Sequence, residues 1–274
     1  MIVVRLIGGL GNQMFQYAAA KALALATRQT LRIDRNSFKD YKVHQYGLHH
    51  FSIKDTEYSK LDKIVHRIKH LNVKKAVYNE TDFRFNPDLH ALKGNPLILN
   101  GYFQCEDYFI KYKKEIGEAF EISSPLKPIT KDLLKKIQCE NAVSIHIRRG
   151  DYLQSEPHNT DKTDYYLKAI DVIKARVTDP VFYVFSDDMP WVKENFKIDA
   201  VLNYIDFNDP DTNFEDMQLM SSCKHNIIAN SSFSWWSAWL NKNPEKIVTA
   251  PREWFTSTEE MDYQDVVPND WIKI

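Results

Sequence analysis

The sequence of 274 residues is poor in cysteine and lacks any long apolar stretch. Its three cysteines, Cys105, Cys139 and Cys223, fit neither a disulfide framework nor the spacing of a zinc or redox motif, so we interpret them as thiols in a reducing compartment. No apolar run reaches the roughly 18 residues of a membrane span, and residues 1–9 are too short an apolar stretch for a signal peptide. We therefore expect a cytoplasmic protein.

Glycine is also scarce, with 8 residues, and no repeat is present, which excludes collagen-like and solenoid architectures. The formal net charge of -1 lacks the strong positive sign of nucleic-acid-binding proteins, and we expect no nucleic-acid partner. This neutral total divides unevenly. Residues 1–138 carry 23 Lys and Arg against 14 Asp and Glu, whereas residues 139–274 carry 13 against 23. Such asymmetry indicates two domains with different partners.

An α/β rhythm is present from the first residues. A β-branched run at residues 2–7 is followed by a glycine turn at residues 8–12, an Ala-rich segment that predicts a helix over 13–26, and a predicted strand at 30–34. This βαβ order normally forms a parallel sheet. Residues 40–95 show clear helical spacing only between Leu61 and Leu71, before an apolar segment at 96–99.

A second α/β series follows a proline-rich loop at residues 124–128. Its apolar runs alternate with helical spacing, which predicts a doubly wound parallel sheet whose ligand site lies at the carboxyl ends of the strands. We expect two Rossmann-like domains, residues 1–128 and 129–274, that face each other across a cleft, with the last residues packed back on the first domain. The predicted strands of the second series are 141–148, 181–186, 200–204, 226–229 and 246–250.

The glycine turn is the first candidate site. Gly9 and Gly11 allow backbone N–H groups to approach an anion or a sugar, and Asn12 begins the following helix. One alternative is a dinucleotide fingerprint, but Met14 stands where that motif needs Gly or Ala. Another is a simple tight turn, which explains the glycines but not the polar pair Asn12 and Gln13.

The second candidate lies at the end of a predicted buried strand. Alternation places His146 and Arg148 on one face and Arg149 on the other, and Asp151 follows at the strand tip. An arginine there can bind a phosphate through two N–H groups. A surface ion pair between Arg and Asp is the alternative, but two adjacent arginines and a histidine that end an apolar strand make it the weaker interpretation.

The third candidate combines an acidic helix start with a serine turn. Asp216 belongs to a predicted helix over 214–223, and Ser231 and Ser232 fall where a helix N-cap belongs, so their hydroxyls can cap the helix or hold a phosphate. The next helix carries Trp235, Trp236 and Trp239 at helical spacing, which is typical of core residues.

Four segments together carry a family resemblance: GGLGNQMFQYAAAKALA from residue 8, HIRRGDY from 146, FSDD from 185 and DMQLMSSCKHNIIANSSFSWWSAWL from 216. They resemble the bacterial α-1,2-fucosyltransferases of the eleventh glycosyltransferase family. The resemblance implies a two-domain GT-B fold, in which residues 1–128 form the acceptor-side domain and residues 129–274 the GDP-fucose-binding domain. It implies inverting transfer of fucose from GDP-fucose to the 2-hydroxyl of a terminal β-galactose. It also implies no cofactor and no essential metal.

The same resemblance implies roles for individual residues. Arg148 resembles the arginine on the donor β-phosphate, and His146 lies where a guanine-contacting histidine is found. Asp216 resembles the acid that pairs with guanine, while Asp187 is a structural or ribose-side residue. The remaining donor-site residues are those of the serine turn and the glycine turn: Ser231, Ser232, Phe233, Gly9, Gly11 and Asn12, the last of which lies beside the reacting sugar.

Two carboxylates remain open as the catalytic base that the attacking hydroxyl needs. Asp151 belongs to the family motif HIRRGDY and is slightly favoured. Glu156 is separated from His146 by the same number of residues as the base in α-1,6 relatives. Asp209 and Asp211 form an Asp-x-Asp, but the sequence around them is a typical turn and no other ligand cluster accompanies them, so no metal site is predicted.

Alternative functions also remain: another fucosyl linkage, a non-catalytic GDP or glycan binder, or an NAD-dependent oxidoreductase with Asp34 on the ribose. The acceptor is expected to be a β-galactoside glycan, free or lipid-linked. We interpret a basic helix near residues 60–75 as a solvated face; the further hypothesis is peripheral contact with anionic lipid on the inner face of the bacterial inner membrane. Its cations are Lys60, Lys63, Arg67, Lys69, Lys74 and Lys75, opposed only by Asp62.

Overall fold

The computed structural model describes residues 1–40, 43–62, 64, 75–149, 163–255 and 262–274. The chain divides into two compact units. The first unit comprises Met1–Ser124 and Glu260–Val266, and the second comprises Pro125–Glu259 and Val267–Ile274. Within the described ranges, no helix is both long and apolar enough to cross a lipid bilayer.

The first unit is built on a parallel sheet with strands β1 (Ile2–Arg5), β2 (Leu31–Asp34), β3 (Thr56–Glu57), β4 (Ala76–Asn79) and β5 (Leu97–Asn100). Their order is β3-β2-β1-β5-β4, and every neighbouring pair is parallel. The unit includes the helices α1 (Leu10–Thr27) and α2 (Lys113–Ala119). Short 3-10 segments connect these elements: Asn36–Lys39, Leu48–His50, Pro87–Ala91, Glu106–Tyr108 and Ile110–Tyr112.

Helix α1 confirms the predicted βαβ unit but begins earlier than expected. Gly9 is its N-cap and Arg28, in the left-handed region, ends it. Small alanines allow close approach, and the helix is buried over most of its length. Because it begins at Leu10 rather than residue 13, Gly11 and Asn12 lie in its first turn. Strands β3 and β4 were not predicted, since β3 is exposed and β4 alternates between half-buried and exposed residues.

The second unit contains six strands: β6 (Ala142–Ile147), β7 (Val181–Ser186), β8 (Leu202–Ile205), β9 (His225–Ile227), β10 (Val248–Ala250) and β11 (Ile272–Lys273). Their order is β11-β10-β9-β6-β7-β8, and all paired strands are parallel. The helices are α3 (Pro128–Cys139), α4 (Thr163–Lys174), α5 (Met189–Asn195), α6 (Asn213–Ser222) and α7 (Ser232–Leu240). The five predicted strands are confirmed.

Two elements of the second unit were not predicted. Pro128, expected to close a loop, instead stands in the first turn of α3, where its missing N–H costs nothing. The last residues were expected to pack back on the first domain, but Ile272 and Lys273 pair with β10 in the second sheet. The residues that belong to the first unit are the preceding ones, Glu260–Val266.

Strand β6 is buried on both faces, as a doubly wound sheet requires. Val143, Ile145 and Ile147 share a core with α4 and α5, whereas Ala142 shares the opposite core with α3 and α6. Because side chains alternate along a strand, His146 lies on the face of Ala142. The sequence pattern predicted this alternation.

In each sheet, successive strands are added first on one side of the first strand and later on its other side. In the second sheet the chain proceeds from β6 to β7 and β8, and then returns to β9 on the other side of β6. In the first sheet it proceeds from β1 to β2 and β3, and later occupies β5 on the other side of β1. Ligands of open α/β sheets bind outside the carboxyl ends of the strands at such switch points.

Candidate active site

His146 is a buried, uncharged histidine near the carboxyl end of β6. Only 5% of it is exposed, and its ring centroid lies 5.7 Å from that of Phe233, which follows β9. Burial, with the Arg148 guanidinium nearby, lowers the pKa of His146 to about 3. Its Nδ1 has no hydrogen-bond partner among the described residues. The imidazole is therefore neutral at physiological pH and retains an unused polar atom at the switch point.

The two adjacent arginines have different partners. Arg148 Nε lies 3.1 Å from Asp187 Oδ2, while Asp187 Oδ1 accepts the Arg149 backbone N–H at 2.9 Å. The Arg149 guanidinium carbon lies 3.4 Å from the centroid of the Trp191 ring. Asp187 thus holds the end of β6 and orients Arg148, whereas Arg149 packs on α5. The predicted separation of the two arginines agrees with this arrangement.

Ser231 is the N-cap of α7, and its side chain makes no capping hydrogen bond. It is buried, whereas Ser232 and Phe233 are half-buried. The first turn of a helix presents unsatisfied N–H groups and a partial positive charge, both of which favour an anion. The three tryptophans that follow are core residues as predicted, since Trp235 and Trp236 are fully buried and Trp239 nearly so.

Asp216 lies on α6, which packs against α7. Phe233 belongs to the same core as Leu219 and Met220 of α6, so these two helices share one face of the sheet. Burial raises the pKa of the Asp216 carboxyl to about 6, although a hydrogen bond from Asn208 and the nearby Lys127 ammonium oppose this shift. Asn208 Nδ2 donates to Asp216 Oδ1 at 2.6 Å.

Lys127 organises the loop before α6, a role that the sequence did not reveal. Its ammonium donates to the Phe207 carbonyl, Asn208 Oδ1 and Thr212 Oγ1, at 3.0 to 3.1 Å. Its backbone N–H donates to Glu215, which is almost fully buried. These partners are 80 or more residues away along the chain, so no local pattern marks Lys127.

The Asp-x-Asp segment forms the turn that the sequence predicted. Asp209 Oδ1 accepts the backbone N–H groups of Asp211 and Thr212 at 3.0 and 2.9 Å. In the part of the chain that the structure describes, no group of three His, Cys, Asp or Glu side chains could hold a metal ion. The absence of a metal requirement stays a prediction.

In the first unit, the glycine turn follows β1. Gly8 has a φ of +84°, and a Cβ added there would lie 2.8 Å from Asn12 Nδ2, so only glycine fits. Buried Gln13 ties the turn to a distant loop: its Nε2 donates to the carbonyls of Gly8 and Gln45, and its Oε1 accepts the Gly47 N–H. The polar residue that a simple turn left unexplained is thus structural.

Asn12 joins the two strands that flank the first switch point. Its Oδ1 accepts Gln104 Nε2 at 2.9 Å, and Gln104 follows β5. The backbone N–H of Ile7, just after β1, donates to buried Gln16 at 3.0 Å. Gly9 faces the His44 ring, with 3.6 Å between an added Cβ and the nearest ring atoms. The structure thus places Gly9, Gly11 and Asn12 at one switch point.

Some predicted residues lie outside the described part of the chain. Both candidate bases, Asp151 and Glu156, fall in residues 150–162. Of the six cations assigned to the basic helix, only Lys60 and Lys75 are described, and both are exposed. Their predicted roles stay predictions.

Each unit is built on a parallel α/β sheet, and an arginine, a neutral histidine and a helix N-terminus lie at the switch point of the second sheet; this arrangement agrees with a GT-B glycosyltransferase. The model of glycosyl transferase family 11 matches residues 1–274, and the chain belongs to that family.

Two curated relatives cover almost the whole chain. Residues of this chain are 35% identical to the alpha-1,2-colitosyltransferase of Escherichia coli, over 100% of this chain and 99% of the relative. They are 36% identical to the O-antigen biosynthesis glycosyltransferase WbnK of Escherichia coli, over 98% and 99%. The solved structure of NodZ alpha-1,6-fucosyltransferase from Bradyrhizobium, soaked with GDP-fucose, matches with a TM-score of 0.52 at 14% identity, over 87% of this chain and 92% of that one. This last likeness shows the fold.

Proposed function

We propose that this glycosyltransferase transfers L-fucose from GDP-fucose to the 2-hydroxyl of a terminal β-galactose, with inversion, to form an α-1,2 linkage. The observation that carries the proposal is the convergence of His146, Arg148 and the N-terminus of α7 at the switch point of the second sheet. Two relatives support it by name: one forms an α-1,2 linkage, and NodZ was soaked with GDP-fucose.

The chemistry requires stabilisation of the leaving group. The acceptor oxygen attacks C1 of fucose as the bond from C1 to the phosphate oxygen breaks, and GDP leaves with additional negative charge. Positive groups that are already in place where this charge develops lower the barrier. Arg148, held by Asp187, and the N–H groups that follow Ser231 are such groups.

Choice of nucleotide would depend on Asp216. A carboxylate accepts hydrogen bonds from both N1–H and the 2-amino group of guanine, a pair of donors that adenine and uracil do not present. Phe233 and neutral His146 would line the same site. Neutral imidazole can donate or accept at Nδ1, according to its tautomer, and so can match a base edge without placing a second charge beside Arg148.

The acceptor hydroxyl must give its proton to a base as it attacks. Asp151 and Glu156 are both proposed for this role, with Asp151 slightly favoured. Turnover of GDP-fucose with saturating acceptor should fall at least about 10²-fold for the variant of the true base, Asp151→Asn or Glu156→Gln. Near wild-type rates in both variants would exclude both residues.

A second donor is favoured by one comparison. The colitosyltransferase relative transfers colitose, which is fucose without its 3-hydroxyl, so the same site could accept GDP-colitose. Rates with the two donors should be compared at equal concentration with one acceptor. A higher kcat/KM for GDP-colitose would mean that colitose, and not fucose, is the sugar this enzyme transfers. The proposed GDP site would stay the same.

The primary test is direct assay of the purified protein. We expect GDP release from GDP-fucose that depends on a β-galactoside acceptor, and an NMR spectrum of the product that shows an α anomeric fucose linked to C2 of galactose. Rates should be equal with EDTA and with added Mg²⁺. GDP, but neither UDP nor NAD, should raise the melting temperature. Stabilisation by NAD alone, or a product linked through another hydroxyl, would contradict the proposal.

A cytoplasmic location with peripheral contact to anionic lipid also belongs to the proposal. It depends on the basic segment near residues 60–75. Binding to vesicles that contain phosphatidylglycerol should be present at low salt and lost when Lys60 and Lys75 are changed to Glu. Absence of binding at low salt would end this part of the proposal.

A further inference from the structure

A polar cavity lies in the first unit at the carboxyl end of β4. Its volume is about 190 Å³, and it is lined by residues 78, 80–82 and 84–87. None of these residues was predicted from the sequence as a site residue, because β4 is short and the loop after it has no periodicity. The cavity also shares no lining residue with the proposed donor site.

The walls of the cavity are fixed by hydrogen bonds on both sides. Asn86 Nδ2 donates to the Tyr78 hydroxyl at 3.1 Å, and the Asn86 backbone N–H donates to the Tyr108 hydroxyl at 3.0 Å. The Tyr108 hydroxyl in turn donates to the Arg84 carbonyl at 3.1 Å. The cavity thus has a defined shape.

A segment far away in sequence holds the outer side of the cavity. Arg84 forms ion pairs with Asp262 and Asp265, at 3.2 and 3.6 Å, and Asp265 also accepts the Phe85 N–H at 3.0 Å. All of these residues belong to the first unit. Arg84 thus clamps this segment through Nη1 and Nε, and its other N–H groups and the Tyr78 O–H remain as donors beside the carboxylate acceptors of the cavity.

The lining has the chemistry that recognises a neutral sugar. Glu80 and Asp82 contribute carboxylate oxygens, which accept hydrogen bonds from hydroxyl groups, and Tyr78 and Phe85 contribute aromatic rings. A nucleotide phosphate is a poor fit because the two carboxylates would repel it. An apolar ligand is also a poor fit, since it would bury these carboxylates without partners.

Glu80 connects the cavity with the turn that carries Asn12. Its carboxylate accepts the backbone N–H groups of Tyr102, at 2.6 Å, and Phe103, at 2.9 Å, and the next residue, Gln104, donates to Asn12. Phe103 has a left-handed φ of 54°, so this bend depends on being held. Burial raises the pKa of Glu80 to about 7, which agrees with a carboxyl that is largely enclosed.

The position of the cavity matches a neighbouring sugar. All strands of the first sheet are parallel, so the carboxyl end of β4 lies at the same edge as the turn after β1. Only β5 separates the two strands. At about 4.8 Å per strand spacing, their ends lie about 10 Å apart. This separation suits two adjacent sugar units of one glycan, one at each strand end.

We propose that this cavity is a subsite for the second sugar of the acceptor glycan, the residue to which the terminal galactose is attached. The inference rests on the proposed function, because it takes Asn12 to lie beside the reacting fucose, so that the galactose which fucose joins lies next to the same turn. It adds a source of acceptor specificity: Glu80 and Asp82 would select the hydroxyl pattern of that second sugar.

The test compares two acceptors, methyl β-galactoside and the disaccharide N-acetyllactosamine, in two variants. Thr81→Trp fills the cavity from an exposed position, and Asp82→Asn removes one carboxylate while its amide oxygen can still accept the Arg84 N–H. Asp88→Asn, an exposed aspartate outside the lining, is the matched control. We expect KM for the disaccharide to rise about tenfold in both variants, which is about 1.4 kcal/mol of binding. KM for methyl β-galactoside and the Kd of GDP should not change.

Equal increases in KM for the two acceptors, or no increase for either, would overturn the proposed subsite. The proposed transfer to galactose would not be affected by that result. If wild-type protein transferred to neither acceptor, the proposed function would fail, and the subsite with it. Retained kcat in the presence of raised KM distinguishes loss of a binding contact from general loss of folded enzyme.

Discussion

The two units place different chemistry at equivalent positions of similar sheets. At the first switch point, the amide groups of Asn12 and Gln13 are hydrogen-bonded to other protein groups. Gln16 accepts the Ile7 N–H there, although its buried Nε2 has no partner among the described residues. At the second, His146 Nδ1 has no hydrogen-bond partner within the described part of the chain, and Asp216 keeps a charge that burial disfavours. The hydrogen bonds of Asn12 and Gln13 thus form without a ligand, whereas the second site keeps polar groups that the proposed nucleotide would pair.

This difference separates stability from activity. A buried polar group costs free energy unless it has a partner, so a satisfied network contributes to folding and an unsatisfied one detracts from it. Substitutions in the glycine turn at residues 8–12 and in the hydrogen bonds that hold it should therefore lower the free energy of unfolding. Substitutions in the second site should mainly lower activity or nucleotide affinity. The four predictions below test this separation.

Removal of Arg148 should have the largest effect. Arg148→Ala takes away the cation that we propose to lie beside the leaving phosphate, and we expect kcat to fall about 10²- to 10³-fold with little change in melting temperature. The adjacent Arg149→Ala is the control, since Arg149 packs on Trp191 instead. If kcat fell equally in the two variants, catalysis would depend on the positive charge of this region and not on the specific position of Arg148.

Gln13→Leu should produce the largest loss of stability. It leaves two carbonyls and one N–H without their partner, and we expect the free energy of unfolding to fall by about 3 kcal/mol. Urea denaturation followed by fluorescence measures this change. The same substitution at exposed Gln264 should be nearly neutral. A stable Gln13→Leu variant would show that the first turn does not depend on its amide network.

Asp216→Asn should stabilise the free protein and weaken GDP binding. Because the pKa of Asp216 is about 6 when folded, against an ordinary 3.8, the folded protein loses stability as pH rises between these values. The variant should thus melt a few degrees higher at pH 7.5, by a smaller margin at pH 5, and at the same temperature below about pH 4. In wild-type protein, the Kd of GDP should rise about tenfold per pH unit below pH 6, and calorimetry of the variant should show no such slope.

Two neighbouring glycines give the smallest expected effect. Gly8→Ala forces a side chain into the left-handed region and against Asn12, which should cost about 1 to 2 kcal/mol. At Gly9 an added Cβ meets nothing closer than 3.6 Å, so Gly9→Ala should leave the melting temperature unchanged. If Gly9→Ala nevertheless raises KM for GDP-fucose, the turn contacts the substrate; if neither parameter changes, it does not.

The sequence predicted the second sheet well because its strands are buried on both faces. A continuous apolar run such as β6 produces a strong pattern, and His146 and Arg148 at its end could be located in advance. Strands β3 and β4 are exposed or half-buried edge elements, which leave only weak patterns. The cavity at the end of β4 was missed for the same reason.

The roles of residues with partners far away in the sequence could not be predicted either. Gln13 is read from sequence as a polar residue near a turn, but its role depends on Gln45 and Gly47, more than 30 residues away. Lys127 likewise depends on residues that begin 80 positions later. The low pKa of His146 and the high pKa of Asp216 result from burial, which a single sequence position does not encode. Family membership decides against the dinucleotide alternative for the glycine turn.

The division of the chain has a consequence for how such enzymes can be recombined. The first unit needs Glu260–Val266 in addition to Met1–Ser124, and Arg84 binds Asp262 and Asp265 from that return segment. A chimaera that joins the first unit to the second unit of a relative at a single crossover would leave this clamp behind. Exchange of the first unit between relatives would therefore require two separate stretches of sequence to move together, which makes gradual change within the unit the easier evolutionary route.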